Sequence, residues 1–294
     1  MFGASAAHRK LMEDLLFQEV DATIIPVDVA GIASEWVMAD GASADRRLLY
    51  LHGGAFRFGS PRSHRYITAE LSRRAGAAVL AIDYRMLPEY KVIDCHEDAR
   101  TAYRWILEHG PDGDGAPDQF FVAGDSAGGT LTLSVIAWAR DTDLPGANGA
   151  VAFSPVTDYA FSSPTYKTNI ETDPFLGPEL RPFVKIPRTL ALFTRYSSGG
   201  RVNRSPISPL LGDLSNLPPT LIQVSRDEML FGDAVRYANK AAAAGSSVEL
   251  QVWPKLVHVF QAFGPDLPEA TEALELAAEF IRAQVKSNSP NGDN

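Results

Sequence analysis

Short, nearly continuous apolar runs recur along the chain, separated by longer stretches in which apolar residues return every three or four positions. The runs are TIIPVDV (23–29), SEWVMA (34–39), RRLLYLH (46–52), AAVLAIDY (77–84), FFVAGD (120–125), GAVAFSP (149–155), PTLIQVS (219–225) and VELQVW (248–253). Strands buried on both faces of a mainly parallel sheet read this way, because they have no solvated face on which to place polar residues. The first two runs predict an opening antiparallel pair. Helices are predicted over 62–75, 95–109, 127–140, 232–244 and 268–285, and Leu11, Leu15 and Leu16 mark one face of a short N-terminal helix. Strand alternating with helix implies an open α/β sheet with helices on both faces, in which sites form beyond the carboxyl ends of the strands.

Residues 161–204 break that rhythm. Their proline-punctuated segments, rich in Phe, Tyr and Leu, predict a helical insertion covering the site, and a segment near residues 1–30 is expected to fold over the same rim. With 294 residues the chain is long enough for one substantial core, so a single domain over 1–294 is expected, with the cap formed by about 1–30 and about 161–204.

Composition narrows the class. The formal net charge of −9, with no basic stripe to offset it, argues against nucleic acid as a partner. One cysteine, Cys95, excludes an intrachain disulfide framework and fits a cytoplasmic location, and no Cys/His cluster has zinc-ligand spacing, so no metal or other cofactor is expected. The N-terminus carries His8, Arg9, Lys10, Glu13 and Asp14 where a signal peptide would be apolar, and no run approaches the length of a membrane span.

The candidate chemistry begins with GDSAG, residues 124–128. A strand turning abruptly into a helix has no room for side chains beside the turn, so Gly124 and Gly128 leave Ser126 protruding at its tip. The stretch LHGGAF (51–56) places Gly53 and Gly54 just after another strand, where consecutive backbone N–H groups can turn toward a developing oxyanion. A serine needs a base, and His258 follows the last predicted strand, at the sheet edge that Ser126 occupies; His52 is expected to brace the glycine turn, and His64, His96 and His109 to be surface or packing residues on helices. A carboxylate must orient that imidazole. SRDEMLFGDA (225–234) offers Asp227, first after its strand, with Glu228 a serious rival and Asp233 expected to open the next helix.

HGGAF, GDSAGG, DYRMLPE (83–89), SRDEML and LVHVF, in this order over roughly residues 46–262, resemble the hormone-sensitive-lipase-like bacterial carboxylesterases of the α/β-hydrolase fold. The resemblance implies a mostly parallel eight-stranded sheet, a two-part helical cap, a catalytic triad of Ser126, Asp227 and His258, and an oxyanion hole made by the N–H groups of Gly53, Gly54 and Ala127. Ala55 stands where the family usually carries a third glycine. The expected activity is hydrolysis of a small-molecule ester with short apolar groups through an acyl-enzyme. A lactone hydrolase of the same family is the alternative, and from another class a small-molecule receptor of this fold, against which the presence of all three triad residue types argues. An edge strand at 247–253 would allow a homodimer.

Overall fold

The structure is a computed structural model and describes residues 6–284. The first strand, β1 (Thr23–Val29), pairs antiparallel with β2 (Ile32–Met38), which runs antiparallel to β4 (Ala77–Ile82). From β4 the sheet continues in parallel through β3 (Ser43–Leu51), β7 (Gln119–Asp125), β8 (Gly149–Phe153), β9 (Thr220–Ser225) and β10 (Val248–Trp253), giving the eight strands that the family resemblance implies. Two-residue strands, β5 (His109–Gly110) and β6 (Gly113–Asp114), form a separate small ladder.

The central strands alternate between two cores, as a period of two requires. Leu49, Leu51, Val122, Ala150, Ala152 and Val224 share a core with residues of α3 (Val92–Ile106), α4 (Ala127–Asp141) and α8 (Phe231–Ala243). Leu48, Tyr50, Phe121, Ala123, Val151 and Leu221 pack with α2 (Arg65–Ala75) and α9 (Pro268–Ala283). The helix ends follow local chemistry. α2 stops at Gly76, whose φ of 64° is left-handed and whose N–H returns to Ser72 O, and α3 starts where Asp94 accepts the Lys91 N–H at 2.7 Å.

The parallel register brings the strand ends level. Leu51 lies opposite Gly124, Asp125 opposite Phe153, Phe153 opposite Gln223, and Ser225 opposite Trp253. The loops that open with His52, Ser126, Ser154 and Arg226 therefore emerge along one edge. Between β8 and β9 the chain inserts α5 (Thr165–Thr168), α6 (Leu176–Lys185) and α7 (Pro187–Ser197), within the predicted insertion. At the N-terminus, α1 (Ala6–Leu16) packs beside the turn Arg62–His64, where Glu13 accepts from the Ser60 hydroxyl and from Arg62. Of the expected stripe on this helix, Leu11 is 56% exposed and Leu16 half-buried, and the side chain of Leu15 lies outside the described residues. Residues 23–29 belong to the sheet, so of the segment 1–30 expected at the rim only the part ahead of β1 precedes the sheet.

The first turn of α4 meets the β3 loop without a gap. A Cβ on Gly128 would stand 1.8 Å from the Leu51 carbonyl oxygen, and one on Gly124 would stand 2.5 Å from the same atom. Gly128→Ala is expected to lower the unfolding free energy by about 1–3 kcal/mol, because rigid backbone must move to admit one methyl group. Urea denaturation checks this, and an unchanged midpoint at unchanged slope would refute it.

Candidate active site

Ser126 sits at the junction of β7 and α4 with φ 52° and ψ −116°, a conformation rare for a residue with a side chain and worth about 1–3 kcal/mol of strain. Hydrogen bonds hold it there: its N–H donates to Phe153 O at 2.8 Å, and its carbonyl accepts from Thr130 N at 3.1 Å and Val156 N at 3.3 Å. The Ser126 Oγ lies 3.0 Å from His258 Nε2. His258 arrives after β10, on a loop tied to the end of β9 by the Ser225 hydroxyl, which donates to Leu256 O at 2.6 Å. The sequence expectation for Ser126 and His258 thus meets a geometry in which the two side chains touch.

The carboxylate against His258 is not the one first in line. Glu228 Oε1 lies 3.2 Å from His258 Nδ1, while Glu228 Oε2 accepts the Ser154 hydroxyl at 2.8 Å and the Ser225 N–H at 3.1 Å. Asp227, expected in this place, instead accepts the Lys255 N–H at 2.6 Å. The reason is the turn. Arg226 N still bonds Trp253 O, prolonging the pairing of β9 with β10, so Asp227 faces the loop beyond β10 and the chain folds inward only at Glu228, which is fully buried. Asp233 is in the first turn of α8 as expected, but it is buried and takes the N–H groups of Thr157 and Asp158. Burial raises its pKa to about 7.

Burial pulls the His258 imidazole toward its neutral form, but the Glu228 carboxylate, with Asp173 and Asp125 beyond it, outweighs this and leaves the pKa above its usual 6.5. A serine hydroxyl against one nitrogen of an imidazole, whose other nitrogen faces a buried carboxylate, can pass its proton to the ring as the oxygen attacks an electrophile.

A second cluster lies under the glycine loop. The Gly53 N–H, expected to face an oxyanion, donates to Asp125 Oδ1 at 2.9 Å, and that oxygen also accepts the Tyr50 hydroxyl at 2.7 Å. Gly53 is therefore occupied, and its lack of a side chain serves this contact, since a Cβ there would stand 2.0 Å from Asp125 Oδ2. No acceptor among the described residues takes the N–H groups of Gly54, Ala55 or Ala127. His64 Nε2 stands 3.5 Å from Asp125 Oδ2. Burial opposes both charges, yet each favours the other's: the His64 pKa is raised, and that of Asp125 is held below the usual carboxylate range with help from Tyr50.

The other histidines sort by burial. His52 stacks on Tyr84 with ring centroids 4.3 Å apart, and burial lowers its pKa to about 3; buried His96 falls to about 3 for the same reason; His109 stacks on Trp105. Asp125, Ser154 and Ala55 received no site role from the sequence. Asp125 was within reach of it, as the residue between Gly124 and Ser126, whereas nothing local marks Ser154. Among the described residues no group of three or more His, Cys, Asp or Glu side chains could hold a metal ion, and no helix is long and apolar enough to cross a membrane. A cavity of about 990 Å³ opens within the insertion, between Phe161, Tyr166, Leu190 and Val202, but none of Ser126, Glu228 and His258 lines it.

A family model described as alpha/beta hydrolase fold matches residues 48–262. An acetyl-hydrolase of Streptomyces hygroscopicus is 38% identical over 257 residues, which is 87% of this chain and 81% of that protein. The crystal structure of EstE5 soaked with p-nitrophenyl butyrate superposes with a TM-score of 0.84 at 38% identity, over 95% of this chain and 90% of that one. An esterase from the bacterial hormone-sensitive lipase family gives a TM-score of 0.84 at 35% identity, over 95% and 91%. The motifs, the eight-stranded sheet and these likenesses agree. The chain belongs to the alpha/beta hydrolase fold family and, within it, to the hormone-sensitive-lipase-like bacterial carboxylesterases, and it is a carboxylic ester hydrolase.

Proposed function

We propose that the protein is a serine esterase acting on short-chain apolar esters, with Ser126 as nucleophile, His258 as general base and Glu228 as the acid that orients it. The observation that carries this reading is the unbroken line from Ser126 Oγ to His258 Nε2 at 3.0 Å and from His258 Nδ1 to Glu228 Oε1 at 3.2 Å. As Ser126 Oγ attacks the ester carbonyl carbon, its proton passes to Nε2, and the carbonyl oxygen takes the negative charge. The N–H groups of Gly54, Ala55 and Ala127 are the proposed donors to that oxyanion, since Gly53 is committed to Asp125. Collapse expels the alcohol with the proton from Nε2. Water, deprotonated by the same nitrogen, then attacks the acyl-enzyme, and the acid leaves as Ser126 regains its proton.

Residues 161–204, with the segment ahead of β1, form the proposed cap. The intact alignment of serine, histidine and glutamate favours an enzyme over a receptor of this fold. The relatives' names, an acetyl-hydrolase and an esterase soaked with a butyrate ester, support a short acyl group. β10 stands at one end of the sheet, which supports the homodimer expected through residues 247–253.

Four measurements test this reading. Ser126→Ala and His258→Ala should each remove most turnover, with the double variant scarcely worse than either single one, because the residues act as a unit. Glu228→Gln should reduce kcat on the order of 10⁴-fold while Asp227→Asn costs less than about tenfold; the reverse ranking would return the role to Asp227.

The pH profile has a defined sign. His258 accepts a proton only when neutral and its pKa is raised, so kcat/KM should fall as pH drops, with a midpoint above 6.5 that moves down in Glu228→Gln. A midpoint below 6.5 would contradict the charge balance around the ring.

Across nitrophenyl esters of increasing acyl length, kcat/KM should peak at short chains. Each buried CH₂ contributes about 0.8 kcal/mol only until the pocket is full. A maximum at long chains would indicate a lipase, and preference for a lactone of matched size would indicate the lactonase alternative.

A further inference from the structure

The cap grips the loop that carries Glu228. Asn169 Nδ2 donates to Arg226 O at 2.9 Å and to Glu228 O at 3.0 Å, and Thr172 Oγ1 donates to Asp227 O at 2.8 Å. Thr165 Oγ1 donates to Met229 O at 2.8 Å, while Asp173 Oδ2 accepts the Met229 N–H at 2.9 Å. Each backbone carbonyl from Arg226 to Met229 thus takes a hydrogen bond from the cap. Asp173 is itself fixed: it is buried, its Oδ1 accepts the N–H groups of Phe175 and Leu176, and its own N–H bonds Asn169 O. Met229 and Leu230 are buried with Tyr166, against Ile170 and Leu176, which welds the same junction with apolar contact.

The turn's own hydrogen bonds, from Asp227 N to the Ser225 hydroxyl at 3.2 Å and from Phe231 N to Glu228 O at 3.3 Å, leave the carbonyls of Arg226, Asp227 and Met229 to the cap. The Glu228 side chain reaches inward to His258, Ser154 and Ser225, and its carbonyl reaches outward to Asn169. A backbone shift of about 1 Å would open the Nδ1 contact, and misplacement on that scale can cost about a hundredfold in rate. We propose that Asn169 and Asp173 are positioning residues for the reaction: by holding the backbone on both sides of Glu228, they keep its carboxylate against His258, so the cap is part of the catalytic apparatus as well as cover for the site. The proposal rests on the reading of Glu228 as the acid.

Three carboxylates bear on the His258 ring: Glu228 from the loop after β9, Asp173 from the cap and Asp125 from the end of β7. Loosening the grip withdraws Glu228, and Asp173→Asn also removes a charge, so both changes act on the ring in the same direction. The test is kcat, KM and the pH profile on p-nitrophenyl acetate for Asn169→Ala and Asp173→Asn, each alone and combined with Glu228→Gln, with melting temperatures alongside. Each single variant should lose on the order of ten- to a hundredfold in kcat with KM within about twofold, and the acid limb should move to lower pH. In the Glu228→Gln background the further loss from Asn169→Ala should shrink to less than about twofold, since Asn169 acts through that side chain, and the loss from Asp173→Asn should shrink to the part owed to its own charge. Undiminished losses in that background, or unchanged kcat and pH profile in both single variants, overturn the proposal. Wild-type turnover in Glu228→Gln alone overturns the assignment of the acid instead, so the two failures are distinct. Asn169, only half-buried, keeps the test available if Asp173→Asn does not fold.

Discussion

The buried carboxylate of Asp125 is the constraint on which the site's architecture depends. It lies one residue before the proposed nucleophile, at the end of β7, and takes the Gly53 N–H from the loop after β3 and the hydroxyl of Tyr50 within that strand. A buried carboxylate without partners would take up a proton or destabilise the chain. Here His64, brought in by the turn before α2, stands against it and favours its charge. One buried charge therefore fixes three separate segments, and it does so directly beneath the loop whose free N–H groups are the proposed oxyanion donors.

The opposite side of the site is held by polar contacts of another kind. Ser154 links three elements: its N–H bonds Gln223 O, its hydroxyl donates to Glu228, and the same hydroxyl accepts the Val259 N–H at 3.3 Å. Asp227 joins the acid loop to the histidine loop through Lys255. That is structural work for a residue whose position had suggested chemistry. Positive φ values gather in the same loops, at Ala55, Phe56, Ser126, Ser154, Lys255 and Val259. Such conformations persist where surrounding contacts over-determine them, and their clustering around Ser126 and His258 is what a preorganised site requires.

The apolar runs were enough to place the sheet and its parallel core, because a strand buried on both faces carries that information in its own residues. The glycines around Ser126 were equally legible, since a missing side chain records a close approach: Gly124 and Gly128 lie against the Leu51 carbonyl, and no other residue fits. Placement after the final strand singled out His258 for a similarly local reason. The Gly53 N–H goes to a carboxylate 72 positions away, a partner that no local pattern records.

Sequence by itself determined the strands, the helices between them, the turn that presents Ser126 and the family to which those motifs belong, all of which are encoded by residues close together in the chain. Only the tertiary structure decided which carboxylate meets His258. Asp227 and Glu228 are adjacent, equally charged and one methylene apart, and their separation depends on how far the β9–β10 pairing runs and on which side chains of residues 165–173 grip the turn. Those contacts join residues that are 27 to 59 positions apart. No local pattern encodes such a choice, because a turn of three or four residues can point either carboxylate inward until its surroundings fix the backbone.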